Sequence, residues 1–540
     1  MAGMTSPERA VAGRVVAGLA GLLAVAAALA VGHLVAGMLL ATSASPYLAV
    51  GNAAIDRTPQ PVKEFAVAQF GTSDKMVLLL GMAVVLALVG LIAGLVSRRR
   101  VLPGLIVIVA LGVVGGLAVL EQAGGGLALL APVASLLVGV GVFWWLHRLG
   151  LRRAARRGAD DASASREPTA SAEPTASALG RRGFLAGSTA VAAGAALSGV
   201  GGTLLAHRTD VAASRRAVGT LVPAVPAPPI PPGADFAELG TPTFITPSPE
   251  FYRVDVNLRV PRLLAEDARL RITGMVDREL EFGFADLRDR RLVERTITMT
   301  CVSNYVGGPY VSTSNFVGVP LRELLDEAGV APGATQLVGR TADGFSLGTP
   351  LAWVLPPERE ALVAIGMNRE PLLPEHGFPI RVVVAGLYGY VSATKWLSEL
   401  ELTTFDFDPY WEQRGWDNDP EGIVRIKTQS RIDAPGSFEQ VPAGAVTFAG
   451  IAWAQTVGIA TVEIRVDGGA WLVTELSTEV NVNTWRMWRA TMRIAEPGAH
   501  TVEVRATDKS GDTQTPMRAA PINPGPDGAT GRHSVTFTVT

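Results

Sequence analysis

The stretch Thr298-Met299-Thr300-Cys301-Val302-Ser303-Asn304, continued by Tyr305-Val306-Gly307-Gly308-Pro309, holds the only cysteine among 540 residues. A lone cysteine has no internal disulfide partner. Cys301 is therefore a buried bystander, a nucleophile or a metal ligand. The preceding residues, Arg295-Thr296-Ile297-Thr298-Met299-Thr300, alternate with β-branched side chains and predict a strand. Cys301 then stands where a strand feeds a glycine-rich loop.

The region around it, from 250 to about 405, mixes short strands with short helices. Leu270–Val276 and Ile380–Val384 read as strands. Pro320–Gly329 reads as a helix with Pro in its first turn and Gly ending it. Strands and helices do not alternate regularly, which favours α+β over a doubly wound sheet. From about 425 the pattern is purely β. Thr461–Val466 alternates strictly, and Asp467-Gly468 is a hairpin signal. Repeats of this alternation at Val502, Val504 and at Val535, Phe537, Val539 predict a β-sandwich, with Trp471, Trp485 and Trp488 as its core or as interface anchors, core being favoured.

The chain is unusually apolar, with 48% hydrophobic and 18% charged residues and a mean hydropathy of +0.29. The excess lies at the N-terminus, in uncharged runs at about 15–41, 76–97, 101–120, 126–146 and 184–206. Each is long enough to cross a bilayer as a helix. Arg9 and Arg14, then Arg98–Arg100, then Arg148, Arg152, Arg153, Arg156 and Arg157 all fall on one side if the N-terminus is cytoplasmic. The net charge of -2 gives no reason to expect nucleic acid as a partner.

Residues 158–180 carry the near-repeats Glu167–Ala172 and Glu173–Ala178, and predict a disordered cytoplasmic linker. Gly180-Arg181-Arg182-Gly183-Phe184-Leu185 follows, ahead of the Ala/Gly-rich fifth run, and resembles a twin-arginine export signal placed internally. A plain positive flank reads the same way for topology. Residues after about 207 are expected outside the cytoplasm. The Pro-rich core Val222–Pro232 predicts an extended spacer holding an outer domain off the membrane.

Four blocks in order resemble the sulfite oxidase family of molybdopterin enzymes. They are Phe251-Tyr252-Arg253-Val254-Asp255, the Cys301 segment, Glu375-His376-Gly377-Phe378-Pro379-Ile380-Arg381, and Ser392-Ala393-Thr394-Lys395-Trp396. The resemblance covers roughly residues 240 to 540. It implies an α+β molybdopterin-binding domain, then an immunoglobulin-like β-sandwich, here preceded by five transmembrane helices. The expected divisions are a four-helix membrane region (1–150), a linker (151–183), the fifth span (184–206), a tether (207–240), the cofactor domain (241–420) and a dimerisation domain (421–540).

The resemblance implies a molybdenum–molybdopterin cofactor with Cys301 as the metal's thiolate. It places Phe251, Tyr252, Arg253, Asp255, Thr341, Asp343, His376, Arg381, Ala393, Thr394 and Lys395 around the pterin, with Arg253 and Cys301 catalytic. Chemically, such a site needs a soft anion for the metal and cations for a terminal phosphate, and Arg381 and Lys395 supply the cations. Implied partners are a small-molecule substrate, a separate electron carrier, the lipid bilayer and a second copy through the C-terminal domain. The chain has no Cys-x-x-Cys-His sequence, and only His33 and His147, at opposite ends of their spans, lie in or beside the first four runs. No haem is expected in this chain.

Departures from the family pattern bear on the substrate. Arg253 matches one of three arginines that the family uses for the substrate anion. The stretch after Cys301, Asn304-Tyr305-Val306, has none, nor does Pro524-Gly525-Pro526, and Trp416 stands where an active-site tyrosine is expected. One arginine is a weak trap for a small dianion, so efficient sulfite oxidation is not expected. The competing function is a non-catalytic cell-surface binding protein on a degenerate oxidoreductase scaffold.

Overall fold

A computed structural model describes residues 6–39, 44–59, 62, 65–66, 69–70, 73–123, 126–163, 175–206, 210–356, 358–416, 425–522 and 526–540. The chain divides into two units, Met1–Thr209 with Asn257–Arg259, and Asp210–Val256 with Val260–Thr540.

The first unit is helical: α1 (Ser6–Met38), α2 (Pro46–Arg57), α3 (Asp74–Val96), α4 (Leu102–Ala123), α5 (Leu130–Ser163) and α6 (Thr175–Ala206). Among the described residues five helical stretches are long and apolar enough to span a membrane, Gly13–Met38, Asp74–Val96, Leu102–Gln122, Gly126–Leu149 and Gly183–Thr203. They match the five expected runs. Small residues let α1 and α3 approach closely, with Gly90 and Gly94 against Gly21 and Ala17. Helix α2 was not anticipated, because its segment is polar enough to read as a loop. The expected linker is partly helical, since α5 runs on to Ser163 and α6 starts at Thr175; residues 164–174 lie outside the described residues. Arg181 and Arg182 fall within α6, but their side chains are not among those described.

The second unit opens with α7 (Val211–Val218). Ten strands then form two sheets: β1 (Arg269–Gly274), β2 (Leu280–Gly283), β3 (Val293–Thr300), β4 (Val311–Pro320), β5 (Gln336–Thr341), β6 (Ser346–Pro350), β7 (Ala361–Met367), β8 (Glu370–Pro371), β9 (Arg381–Val384) and β10 (Leu397–Thr403). One sheet has the order β2-β1-β10-β5-β6; the other runs β3-β4-β7-β8, with β9 on β7. This is the expected mixed α+β layout. The expected helix is α9 (Leu321–Ala328), stopped by Gly329, and the short helix α8 (Phe284–Arg288) precedes it. A last short helix is α10 (Gly389–Ser392).

The C-terminal part is a sandwich of antiparallel sheets, in keeping with the immunoglobulin-like expectation. Its strands are β11 (Gln429–Ala434), β12 (Gln440–Val441), β13 (Gly444–Trp453), β14 (Ile459–Val466), β15 (Leu472–Val473), β16 (Glu475–Leu476), β17 (Arg486–Ile494), β18 (Gly498–Asp508) and β19 (Ser534–Val539). One sheet is β11-β13-β17-β16; the other is β12-β19-β18-β14-β15, where β12 alone pairs parallel. Asp467 and Gly468, at φ 50° and 72°, make the expected hairpin between β14 and β15. Phe448 and Phe537 meet across the sandwich at 5.5 Å.

The three tryptophans divide. Trp488 is buried in the sandwich core. Trp471 is only half-buried, under the guanidinium groups of Arg465, Arg505 and Arg532. Trp485 belongs instead to the core around β3 and β4, and its indole donates to the Phe244 carbonyl at 3.1 Å.

The Pro-rich segment is not a free spacer. Val225 donates to the Leu292 carbonyl at 3.1 Å, and the Glu294 amide donates to Val225 at 2.8 Å. Leu221 is buried. The segment instead lies along β3, because proline-flanked extended backbone suits a sheet edge. Further along the same edge, the Thr298 amide donates to the Asn483 carbonyl at 2.9 Å. Gln455 Nε2 donates to the Thr298 carbonyl at 3.0 Å, and Asn481 Nδ2 to that of Thr296 at 3.1 Å. The sandwich and the Pro-rich segment together cover the strand that delivers Cys301.

Thr298 Oγ also accepts the buried Trp485 amide at 2.7 Å. Thr298→Val keeps the shape and removes that acceptor. Denaturation of the full-length protein should show a loss of about 1–3 kcal/mol, the cost of an unsatisfied buried donor.

Candidate functional site

Cys301 leaves the end of β3 in a tight turn. Its amide donates to the Tyr310 carbonyl at 3.0 Å, and the Asn304 amide donates back to the Cys301 carbonyl at 3.1 Å. Asn304 Oδ1 accepts the Tyr310 amide at 2.9 Å and closes the loop. The sandwich holds this loop from outside, where Arg431 Nη1 donates to the Gly308 carbonyl at 3.0 Å. A side chain at Gly307, whose φ is +80°, would strike the His533 ring at 2.3 Å.

The thiol itself is buried. Burial raises its pKa, while Ser303, with its hydroxyl 3.0 Å from Sγ, and Lys395 act in the opposite direction. Burial therefore favours the thiol over the thiolate here. No group of three His, Cys, Asp or Glu side chains suited to a metal occurs among the described residues. A metal bound to Cys301 would bring its other donors on its own organic ligand.

Two cations and an imidazole converge nearby. Gly377, in the left-handed region at φ +103°, turns the chain between His376 and β9, and packs against Lys395. Arg381 is 2% exposed. Its described partners are neutral: the His376 carbonyl at 3.1 Å, the Val382 carbonyl at 3.4 Å, Met299 Sδ at 3.8 Å and the face of Phe316. Burial lowers its pKa to about 10. A buried guanidinium without a carboxylate is costly until an anion arrives. Lys395 donates to the carbonyls of Glu375 at 2.9 Å and Val254 at 3.1 Å, and lies 3.9 Å from Asp255.

His376 is pushed down to about 3, first by burial and then by Lys395 and Arg381, so its ring is neutral. Nε2 lies 3.0 Å from the Ser248 carbonyl and must carry the proton to bond it. Nδ1 is then a bare acceptor, buried and without a partner. Phe251 stacks on Tyr252 at 5.3 Å and packs edge-on to His376 at 5.4 Å. Tyr252 is buried, and its hydroxyl is raised by burial and by Cys301.

The expected residues do not all converge equally. Cys301, Tyr252, His376, Arg381 and Lys395 form one electrostatic neighbourhood, with Phe251 as its wall. Arg253 is 38% exposed and bonded to the buried Asp255 at 2.7 Å, so its charge is already answered. Thr394 backs the site through its carbonyl, which accepts the Val382 amide at 2.9 Å, and Ala393 packs on the core. Thr341 and Asp343 bond each other, and Thr341 Oγ accepts the Phe345 amide at 3.0 Å, in a turn beside Trp396.

Sequence reading missed two features. The buried oxygens Thr300 Oγ and Tyr390 OH have no partner. Tyr390 meets Trp416 edge-on at 5.5 Å, and Trp416 stacks on Trp411 at 4.1 Å. Glu412 beside them is pushed up to about 7, chiefly by burial. The Tyr388-Gly389-Tyr390 pattern between two site blocks was the available signal.

A buried soft donor, an unanswered buried cation and bare polar atoms fit an anionic, hydrogen-bonding ligand that carries a metal. The oxidoreductase molybdopterin binding domain family matches residues 257–411. This part of the chain is thus similar to molybdopterin-binding domains, and the chain is similar to sulfite oxidases. Mitochondrial sulfite oxidase of Homo sapiens is 30% identical over 295 residues, 47% of this chain and 54% of that protein. Nitrate reductase [NADH] 1 of Oryza sativa subsp. japonica is 28% identical over 330 residues, 50% of this chain and 36% of that protein. The chain thus spans about half or less of the curated relatives it matches. The sulfane dehydrogenase SoxCD of Paracoccus pantotrophus has a TM-score of 0.47 at 23% identity, covering 58% of this chain and 88% of that one.

In the matched region, Arg381 is the residue to perturb. Arg381→Met removes a buried charge that only a bound anion answers. Purified full-length variant should lose at least tenfold in pterin content while its apoprotein melts no lower than wild type. Pterin extraction and thermal melting read the two quantities separately.

Proposed function

We propose that this chain is a membrane-anchored molybdenum oxidoreductase whose catalytic domain lies outside the cytoplasm. The carrying observation is the buried Cys301 thiol beside Lys395 and the carboxylate-free Arg381. Cys301 would hold the metal. Arg381 and Lys395 would take the anionic end of the pterin, and His376 Nδ1 would accept from its ring N–H groups. When bound, molybdenum supplies two-electron, oxygen-atom-transfer chemistry, with water as the other oxygen party.

The orientation rests on the arginine clusters that flank the spans and on the twin-arginine-like flank Arg181-Arg182. Export after folding suits a protein that must enclose its cofactor first. The C-terminal sandwich would also serve as a dimer contact, and a separate carrier would exchange electrons.

Sulfite is a poor match to this pocket. Arg253 is bonded to Asp255, and the arginine that reaches the Cys301 loop, Arg431, is bonded to Asp433 at 2.7 Å and to a backbone carbonyl. A small dianion needs several unspent donors to offset its desolvation. Tyr390 OH and the Trp416 ring suit a larger, neutral oxygen donor or acceptor.

Two measurements test this reading. Metal analysis should find stoichiometric molybdenum in wild type and a loss of at least tenfold in Cys301→Ser; equal content would remove Cys301 from the metal. Steady-state assay of loaded protein with sulfite and an artificial acceptor should give kcat/KM well below about 10⁶ M⁻¹s⁻¹. Turnover at or above that value would show that the spent arginines do not matter.

A further inference from the structure

The helical unit holds a cavity of about 440 Å³ that the pterin chemistry does not use. One wall is a single face of α1, on which Leu22, Val25, Leu29 and His33 follow helical spacing. His33 lies eleven positions beyond Leu22, so this wall is about 16 Å long at the usual helical rise. Ala83 and Leu86 of α3 face it.

The lining changes character along that length. Around Leu22 it is alkyl. Toward α2 it gathers His33, Tyr47, Thr203 and Arg259. Two of these are already engaged within the protein: Tyr47 donates to the Leu79 carbonyl, and Thr203 to that of Gly199 at 2.9 Å. His33 Nδ1 lies 3.4 Å from Ser45 Oγ, which leaves Nε2 for another partner. Among the described residues no carboxylate lines the cavity, so its polar end offers an imidazole and a guanidinium to an acceptor. An ionisable side chain within a span is costly there unless a function retains it.

We propose that this cavity binds a membrane quinone or its quinol. The ring would lie between His33 and Arg259, with the isoprenoid tail along Leu29, Val25 and Leu22. The volume falls in the range of about 300–1,000 Å³ usual for small-molecule sites. A quinone is flat and uncharged, carries carbonyl acceptors and trails one apolar chain, which matches a slot with donors at one end. A phospholipid would bring two chains and a larger charged head. His33 also supplies a titratable nitrogen beside the ring, which a ligand that gains and loses protons requires. As an electron carrier the quinone serves the molybdenum reading and rests on it; its binding does not.

The test is calorimetric titration of a short-tailed naphthoquinone into full-length, detergent-solubilised protein. One saturable site per chain is expected. His33→Leu, Arg259→Gln and Ala26→Phe, the last filling the tail end, should each weaken binding at least tenfold without lowering the melting temperature. Cys301→Ser should bind like wild type, so a failure of the molybdenum assignment leaves this result untouched. No saturable binding by wild type overturns the proposal. So does unchanged affinity in all three cavity variants, or displacement of the quinone by equimolar phosphatidylglycerol.

Discussion

Strand β3 ends in Cys301, and a strand end is only as fixed as the edges of its strand. One edge pairs with β4 along eight residues, from Val293 against Gly318 to Thr300 against Val311. An uncovered second edge would leave amides and carbonyls unsatisfied in the middle of the protein. Val225 of the Pro-rich segment and Gln455, Asn481 and Asn483 of the sandwich bond it instead. The sandwich is thus part of the scaffold that holds Cys301 as well as a domain in its own right. Arg431 and His533 extend the same hold to the loop beyond the cysteine.

The surroundings of Cys301 on this scaffold are electrically unbalanced. Arg381 is desolvated among carbonyls, a thioether and a phenyl ring, and Lys395 adds a second cation close by. In a low-dielectric interior that arrangement opposes folding, and the opposition disappears only when an anion fills the site. The same field keeps His376 neutral and leaves Nδ1 to accept a hydrogen bond. Stability and binding therefore trade against each other at Arg381.

Much of this was legible in the sequence, for identifiable reasons. The five spans follow from uninterrupted apolar runs, which have few other uses. The strand before Cys301 and the Asp467-Gly468 hairpin follow from strong local signals. The four site blocks read together because their order is far more specific than any one of them. What the sequence hid was partnership. Arg253 looks like an anion ligand until Asp255 is seen to hold it, and Trp485 looks like sandwich core although it serves the neighbouring region. The Pro-rich segment has the composition of a spacer, and only long-range hydrogen bonds to Leu292 and Glu294 tie it down. Helix α2 is amphipathic and short, so its segment gave no long apolar run.

The central claim is that Cys301 is a direct ligand of molybdenum in a pocket built for an anionic pterin. X-ray absorption at the molybdenum edge, on purified full-length protein, counts the sulfur atoms bound to the metal. The account predicts one more sulfur in wild type than in whatever molybdenum-loaded Cys301→Ser protein can be recovered. The same sulfur count in both would contradict it.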